Sequence, residues 1–297
     1  MKKGKATVFR FNPEIDIKPY YVTYEFPYEL GMSVLDVALY INEKIDETFS
    51  FSYNCKNSHC GLCAAKINGK PGLMCREIAT REISLEPIDN FPVIRDLMVE
   101  RKEFESRKNN LSLFVERMYE HDNIIESETT NLEDLQGFAV TSRCVECFSC
   151  ISVCPAIKEN QYEFLGPAGM VQLARYEFDP RDDLNRGIIA YGRGLYNCSL
   201  CGKCTEVCPH NISPKEIIEL LRARLISEKK IPRAVHMLID LIKGTQKAFQ
   251  PPKKKQSFLQ KSKINTPAKV GLFIGCTIDY DDRLMSIAES TLKLLQN

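Results

Sequence analysis

Cysteine spacing carries the chemistry of this chain. Twelve of its thirteen cysteines fall into three runs. In the first, Cys55, Cys60 and Cys63 are spaced C-x₄-C-x₂-C, and Cys75 follows after eleven intervening residues. The second is Cys144-x₂-Cys147-x₂-Cys150-x₃-Cys154-Pro155, and the third, Cys198-x₂-Cys201-x₂-Cys204-x₃-Cys208-Pro209, repeats it. Thiolates are soft ligands that select iron–sulfur clusters, zinc or Cu(I). The first spacing is that of plant-type [2Fe–2S] sites, and the other two match the bacterial [4Fe–4S] run. Three redox clusters in succession describe an electron wire.

A cubane needs four thiolates around its cage. The x₂ spacings let three converge from one tight loop, so the fourth comes from elsewhere. In two-cluster proteins the cysteine before proline ligates the other cluster. One cluster is therefore assigned to Cys144, Cys147, Cys150 and Cys208, and the other to Cys198, Cys201, Cys204 and Cys154. Zinc is the competing reading, since Cys₄ zinc sites also use C-x₂-C pairs, but they seldom show two complete four-cysteine runs beside C-x₄-C-x₂-C. Disulfides fit poorly, because the cysteines are clustered too locally and the chain is too long to need them. His59 lies between two ligands, and histidine replaces cysteine in Rieske-type centres, but four cysteines already satisfy that site. His210, after Cys208-Pro209, is read as a hydrogen-bond donor able to tune a potential. Gly192-Arg193-Gly194 lacks a preceding strand and a third glycine in register, so it reads as a turn near a cluster loop, not a nucleotide site. No Ser-His-Asp set or flavin fingerprint stands out. Substrate chemistry is expected on another chain.

These ligands need elements to hold them. Ala6–Phe11 and Tyr20–Phe26 read as strands. Ser33, with Asp36 three residues on, caps a helix striped by Val34, Leu35, Ala38, Ile41 and Ile45. The cysteine loop follows, then the turn dipeptide Asn68-Gly69. After Pro92 the pattern turns helical: Leu111, Phe114, Val115 and Met118 are spaced for a helix. Ser213-Pro214-Lys215-Glu216 is a capping box with proline at the first helical position, preceding Ile217, Ile218, Leu221 and Leu225 on one face. Ile231–Phe249 is predicted as a further helix. Residues 250–268, rich in proline and lysine, read as a solvated linker. Val270–Ile274 is a buried-type strand ending at Gly275-Cys276, with a helix over 282–295.

Length and charge bound the rest. The 297 residues suit two domains and the start of a third. A net charge of +1 gives no electrostatic case for nucleic acid or an anionic membrane. The first sixteen residues lack the apolar core of a signal peptide, and no run reaches membrane-span length. A cytoplasmic protein, or one peripheral to a membrane through a partner, is expected.

The chain resembles the iron–sulfur subunit of succinate dehydrogenase and fumarate reductase. The resemblance spans roughly residues 5–240. It rests on the order of the three signatures, on Phe91-Pro92-Val93-Ile94-Arg95-Asp96-Leu97, on Phe164-Leu165-Gly166-Pro167-Ala168-Gly169 and on Asp179-Pro180-Arg181-Asp182. It implies an α+β fold: a β-grasp [2Fe–2S] ferredoxin domain over 1–104 and an all-α two-cluster domain over 105–249. Beyond the 250–268 linker, a short α/β fragment would fill 269–297. It also implies an FAD-containing flavoprotein partner that interconverts fumarate and succinate, facing the [2Fe–2S] module, with the cubanes relaying electrons to a second redox site.

Two departures matter. Most family members have an apolar residue at the position of Cys201 and a [3Fe–4S] third cluster; Cys201 predicts a full [4Fe–4S] cluster here, and [3Fe–4S] only if it is not a ligand. The family's quinone pocket uses a tryptophan and a histidine, yet this chain has no tryptophan and Ser199 occupies the histidine's place. Val270–Leu295, with Gly275-Cys276, resembles the opening of the cysteine-rich domain of heterodisulfide reductase. Thiol:fumarate reductases join that domain to an iron–sulfur subunit and take electrons from coenzyme M and coenzyme B thiols. The Cys-Cys-Gly segments of such a domain are absent, so a fragment, or one half of a split subunit with a separate cysteine-rich partner, is expected. Cys276 is an orphaned ligand, a ligand completed by another chain, or a small buried apolar residue. The leading expectation is an electron-transfer subunit linking flavin to a thiol-linked site. The alternatives are a quinone-linked succinate dehydrogenase subunit, a free multi-cluster ferredoxin-like carrier and a structural metal module.

Overall fold

Strand alternation starts at the N-terminus. Strand β1 (Lys2–Arg10) turns Gly4, Ala6, Val8 and Arg10 inward, while Lys3 and Lys5 face water, as the two-residue period of a half-buried strand dictates. A computed structural model describes residues 2–109, 111–117, 132–227, 230–246 and 271–296. It divides into two units, Met1–Glu228 and Lys229–Asn297.

In the first unit, β2 (Tyr20–Tyr28) pairs antiparallel with β1, whose other edge runs parallel to β5 (Glu82–Glu86). Strands β3 (Ala64–Ile67) and β4 (Lys70–Leu73) complete a mixed sheet ordered β2-β1-β5-β3-β4. Helix α1 (Val34–Lys44) begins where its cap demands. Asp36 N–H donates to Ser33 Oγ at 3.2 Å, and Ser33 N–H donates back to the Asp36 carboxylate at 2.8 Å. Val34, Leu35, Val37, Ala38 and Ile41 are its buried face.

The inward Arg10 is a charge in the core, and its surroundings explain one of the sequence motifs. It is paired with Asp46 and with Asp96, 3.1 Å from Nε, and it donates to Tyr24 Oη at 2.5 Å. Asp96, in the turn between β6 (Val93–Arg95) and β7 (Met98–Val99), also accepts the N–H groups of Phe11 and Ser50, each at 2.9 Å. The segment Phe91–Leu97 thus fastens the sheet's far end, satisfying a buried cation that would otherwise be costly.

Helices α2 (Lys102–Lys108), α3 (Leu132–Ser142), α4 (Ser149–Ser152), α5 (Pro155–Glu159), α6 (Gly166–Glu177), α7 (Arg186–Gly192), α8 (Lys203–Glu206) and α9 (Pro214–Ser227) follow. Nearly all of α6 is buried, against α3, α7 and α9. Helix α9 buries Ile217, Ile218, Leu221 and Leu225, and Glu216 N–H reaches Ser213 Oγ at 3.4 Å.

The helix predicted from Leu111, Phe114 and Val115 is not formed; residues 111–117 are a loop, and Met118 lies outside the described residues. The cause is a buried arginine. Arg186, fully buried, donates to the carbonyls of Leu111 (3.0 Å), Ser112 (2.6 Å) and Phe114 (2.8 Å), and Tyr176 Oη–H donates to Leu113 O. Those carbonyls serve the guanidinium instead of a helical ladder. Asp182, equally buried, accepts both Arg186 Nε and Nη2 at 2.8 Å. Here Asp179-Pro180-Arg181-Asp182 finds its structural role.

In the second unit, α10 (Arg233–Thr245) forms the middle of the predicted 231–249 helix, starting after Pro232 and ending at Gln246, while residues 247–249 lie outside the described residues. The linker 250–268 also lies outside them. Residues 271–274 join no sheet, so the strand expected at 270–274 is not formed in its described part; a single strand has no neighbour to complete its hydrogen bonds. Helices α11 (Gly275–Tyr280) and α12 (Met285–Gln296) follow, with Met285 and Ala288 buried against Ile274, Ile278 and Leu292. Among the described residues no helix is long and apolar enough to cross a membrane.

Candidate metal centres

The first cysteine loop turns its backbone toward sulfur. Lys56, Ser58 and Gly61 all have positive φ (54°, 58° and 69°), which aims successive N–H groups inward as in an anion-binding nest. Asn57, His59 and Cys60 N–H groups donate to Cys55 Sγ at 3.4, 3.2 and 3.3 Å, and Ser58 N–H donates to Cys75 Sγ at 3.3 Å. His59 contributes this backbone donor. The bonds, led by that from Asn57, lower the Cys55 pKa to about 7. Cys63, joined to Cys75 by hydrogen bonds, is pushed up to about 12 by burial.

The other two signatures build two cavities, and each cavity takes cysteines from both. One is walled by Cys144, Cys147, Cys150 and Cys208, with Ala168 and Val171 of α6 behind them. The other is walled by Cys198, Cys201, Cys204 and Cys154, with Phe164 and Pro167 behind. The segment Phe164–Gly169 therefore stands between the two. The repeated spacing has a repeated backbone: Glu146 and Phe148 are left-handed (φ 52° and 63°), as are their counterparts Leu200 and Gly202 (φ 55° and 82°). Each run then enters a four-residue helix, α4 or α8, before its last cysteine.

Burial pushes the Cys144 thiol up to about 12 and Cys204 up to about 11, and it raises Cys150 well above the ordinary value. Like-charged neighbours reinforce this, and for Cys150 they include Cys204 of the adjacent cavity. Buried thiols crowded in this way favour a cation among them, since metal binding displaces their protons. Among the described residues, no three His, Cys, Asp or Glu side chains stand close enough to share one metal ion. All-sulfur donor sets and N–H groups aimed at sulfur fit iron–sulfur clusters.

The thiol loops are tied together. His210 Nε2–H donates to the Ser58 carbonyl at 3.0 Å, joining the Cys208 segment to the first loop. Arg101 donates to the Gly61 carbonyl at 3.3 Å and to the Glu146 carbonyl at 2.7 Å. Asn90 Nδ2 reaches the carbonyls of Ile151 (2.8 Å) and Ser152 (3.1 Å). Arg101 and Gln172, which hydrogen-bonds the Cys144 thiol, were not legible as site residues, because neither belongs to a cysteine run. Gly192-Arg193-Gly194 closes α7 and accepts Leu165 N–H on the Arg193 carbonyl at 3.0 Å. Cys276 is the second residue of α11, in the other unit.

Comparison with known proteins gives these centres a family. Residues 5–106 match a 2Fe-2S iron-sulfur cluster binding domain, and residues 140–212 match a 4Fe-4S dicluster domain. The fumarate reductase iron-sulfur subunit of Haemophilus influenzae is 30% identical over 252 residues, 80% of this chain and 95% of that protein. The chain belongs to the succinate dehydrogenase/fumarate reductase iron–sulfur subunit family. A chain of the Mycobacterium smegmatis Sdh1 complex in its apo form superposes with a TM-score of 0.69 at 26% identity, over 78% of this chain and 98% of that one. Another relative, a subunit of the fumarate reductase (CoM/CoB) of Methanothermobacter marburgensis, is 36% identical over 296 residues, 97% of this chain. This chain spans only 57% of that protein's length. The α+β order of the family, a [2Fe–2S] ferredoxin domain followed by a dicluster domain, is the order seen here.

Proposed function

We propose that this chain is the electron-transfer subunit of a fumarate reductase/succinate dehydrogenase-type complex, passing electrons between an FAD subunit and a thiol-linked site. What carries the reading is three four-cysteine sets in one unit, with the first loop bonded to the second run through Arg101 and to the Cys208 segment through His210. Cys55, Cys60, Cys63 and Cys75 would hold a [2Fe–2S] cluster. Cys144, Cys147, Cys150 and Cys208 would hold one [4Fe–4S] cluster, and Cys198, Cys201, Cys204 and Cys154 a second. When bound, such clusters supply one-electron relay. The chain's own part is to fix them in order, exclude water and place N–H dipoles on their sulfurs.

The name of the Methanothermobacter relative, with its CoM/CoB designation, favours thiols as the far-end partner. So does the sequence, which has Ser199 and no tryptophan where quinone-linked members carry histidine and tryptophan. The domain division 1–104, 105–249, 250–268 and 269–297 belongs to the same proposal, with a cysteine-rich partner supplied on another segment or chain. A cytoplasmic site of action follows from it.

The test uses the complex purified anaerobically with its flavoprotein. About ten irons per chain are expected, from two, four and four, together with fumarate reduction driven by coenzyme M and coenzyme B thiols. Stoichiometric zinc in a colourless protein would overturn the cluster reading. Activity with a quinol and none with thiols would establish the quinone-linked alternative.

A further inference from the structure

Arg101 occupies an unusual place for a charge. Its side chain is 15% exposed and lies between the first cysteine loop and the loop of the first cubane cavity. One guanidinium nitrogen bonds the Gly61 carbonyl and another the Glu146 carbonyl. The guanidinium lies 4.5 Å from the centroid of the Phe148 ring, which stacks on Phe91. Its Nε is buried without a hydrogen bond, 3.3 Å from the half-exposed Glu105 carboxylate. The two thiols that act on it electrostatically are Cys60, from the first set, and Cys147, from the second. His210 ties the first loop separately to the Cys208 segment, whose cysteine lines the same cavity as Cys147.

We propose that Arg101 is a positioning residue that raises the reduction potentials of the [2Fe–2S] cluster and of the first [4Fe–4S] cluster together, through one permanent charge shared between their loops. This rests on the cluster reading given above. The physical basis is Coulombic. Each cluster gains one negative charge when it accepts an electron, and a fixed cation nearby stabilises the reduced form. Arginine stays charged at any pH the protein survives, so the bias is constant. Because the guanidinium serves both loops, the two potentials move together and the downhill or uphill step between them is preserved. Neither loop that Arg101 bonds carries a cysteine of the second [4Fe–4S] set, so that cluster is the internal reference.

The experiment is a mediated redox titration of the holo complex, followed by electron paramagnetic resonance, on the parent protein and three variants. Arg101→Gln keeps a polar side chain and removes the charge; both near clusters are expected to become about tenfold harder to reduce, 59 mV for one electron, with the far cluster little changed. Arg101→Lys restores the charge and is expected to recover most of that loss. Glu105→Gln removes the opposing carboxylate from the surface and is expected to shift both near potentials upward, by less because solvent screens that site. Iron and sulfide content is measured on every sample. A parent protein without clusters refutes the electron-transfer reading. Fully loaded Arg101→Gln with unmoved potentials, or a shift that Arg101→Lys does not rescue, refutes the role of Arg101. Should Arg101→Gln fail to fold, the sign of the Glu105→Gln shift decides: no rise, or a fall, overturns the proposal.

Discussion

Gly61→Ala tests whether the first cysteine loop is seated against the first cubane loop as the structure places it. Gly61 has φ +69°, and a Cβ there would collide with the Val145 carbonyl oxygen and stand 2.9 Å from both Cα and N of Cys147. Both obstacles are backbone, so neither can swing aside. A left-handed alanine costs about 1–2 kcal/mol, and forcing a methyl into a filled site adds about 1–3 kcal/mol. The sum, about 2–5 kcal/mol, is a large share of a typical stability of about 5–15 kcal/mol. At about 2–4 °C per kcal/mol for a unit of this size, the apparent Tm should fall by about 4–20 °C. Gly69→Ala is the control. Gly69 is also left-handed, at φ +80°, but an added Cβ would meet nothing within 4 Å, so only the backbone cost of about 1–2 kcal/mol applies. Anaerobic thermal unfolding of both variants, with iron content measured alongside, separates the two contributions. If Gly61→Ala proves no less stable than Gly69→Ala, the two loops are not packed together as described.

Cys201→Ile should lower the iron content from about ten to about nine per chain and change the paramagnetic resonance of one four-iron centre; an unchanged spectrum refutes the assignment of Cys201. Arg186→Met should cost about 3–5 kcal/mol in urea unfolding, because it strands the buried Asp182, whereas a loss below about 1 kcal/mol would mean the pair is solvated. Tyr24 is held un-ionised by burial and by its hydrogen bond to Asp46, which push its pKa up to about 12. Its unfolded value is about 10, so its contribution is complete below pH 10 and is lost as pH rises from about 10 to about 12, by about 3 kcal/mol. Tyr24→Phe should abolish that part of the alkaline slope, and identical slopes for the two proteins would refute it.

Legibility followed the range over which each physical signal acts. The Ser33 cap and the stripe on α1 are local, and they appear where the sequence places them. The buried face of α9 is equally local. By contrast, Leu111–Val115 has helical spacing, but Arg186 lies more than seventy residues away and claims the carbonyls a helix would need. No local pattern announces that competition. Arg101 has no sequence signature for a related reason: its partners are backbone carbonyls of two distant loops, and carbonyls leave no trace in residue type. The strand expected near Ile274 failed differently, since an apolar run specifies a preference for burial without specifying a neighbouring strand.

The internal repeat shows how one backbone can serve two environments. Phe148 and Gly202 hold equivalent left-handed positions, after the second cysteine of each run. Glycine adopts that conformation freely, while phenylalanine bears a cost of about 1–2 kcal/mol. The first loop nevertheless carries phenylalanine, because its ring is buried against Phe91 and Phe104 and beneath Arg101. Burying such a ring contributes about 1.5–3 kcal/mol, enough to offset the strain. At Gly202 an added Cβ would meet only the Cδ of Lys215, at 3.9 Å, so there is no close packing at that position to offset a left-handed side chain's cost. The asymmetry is therefore a record of position: the first cubane loop is embedded against the [2Fe–2S] domain, while the second loop carries the exposed Cys201. Because each cavity takes one cysteine from the other run, neither loop can form its four-thiol site alone, and the embedded loop anchors the exposed one.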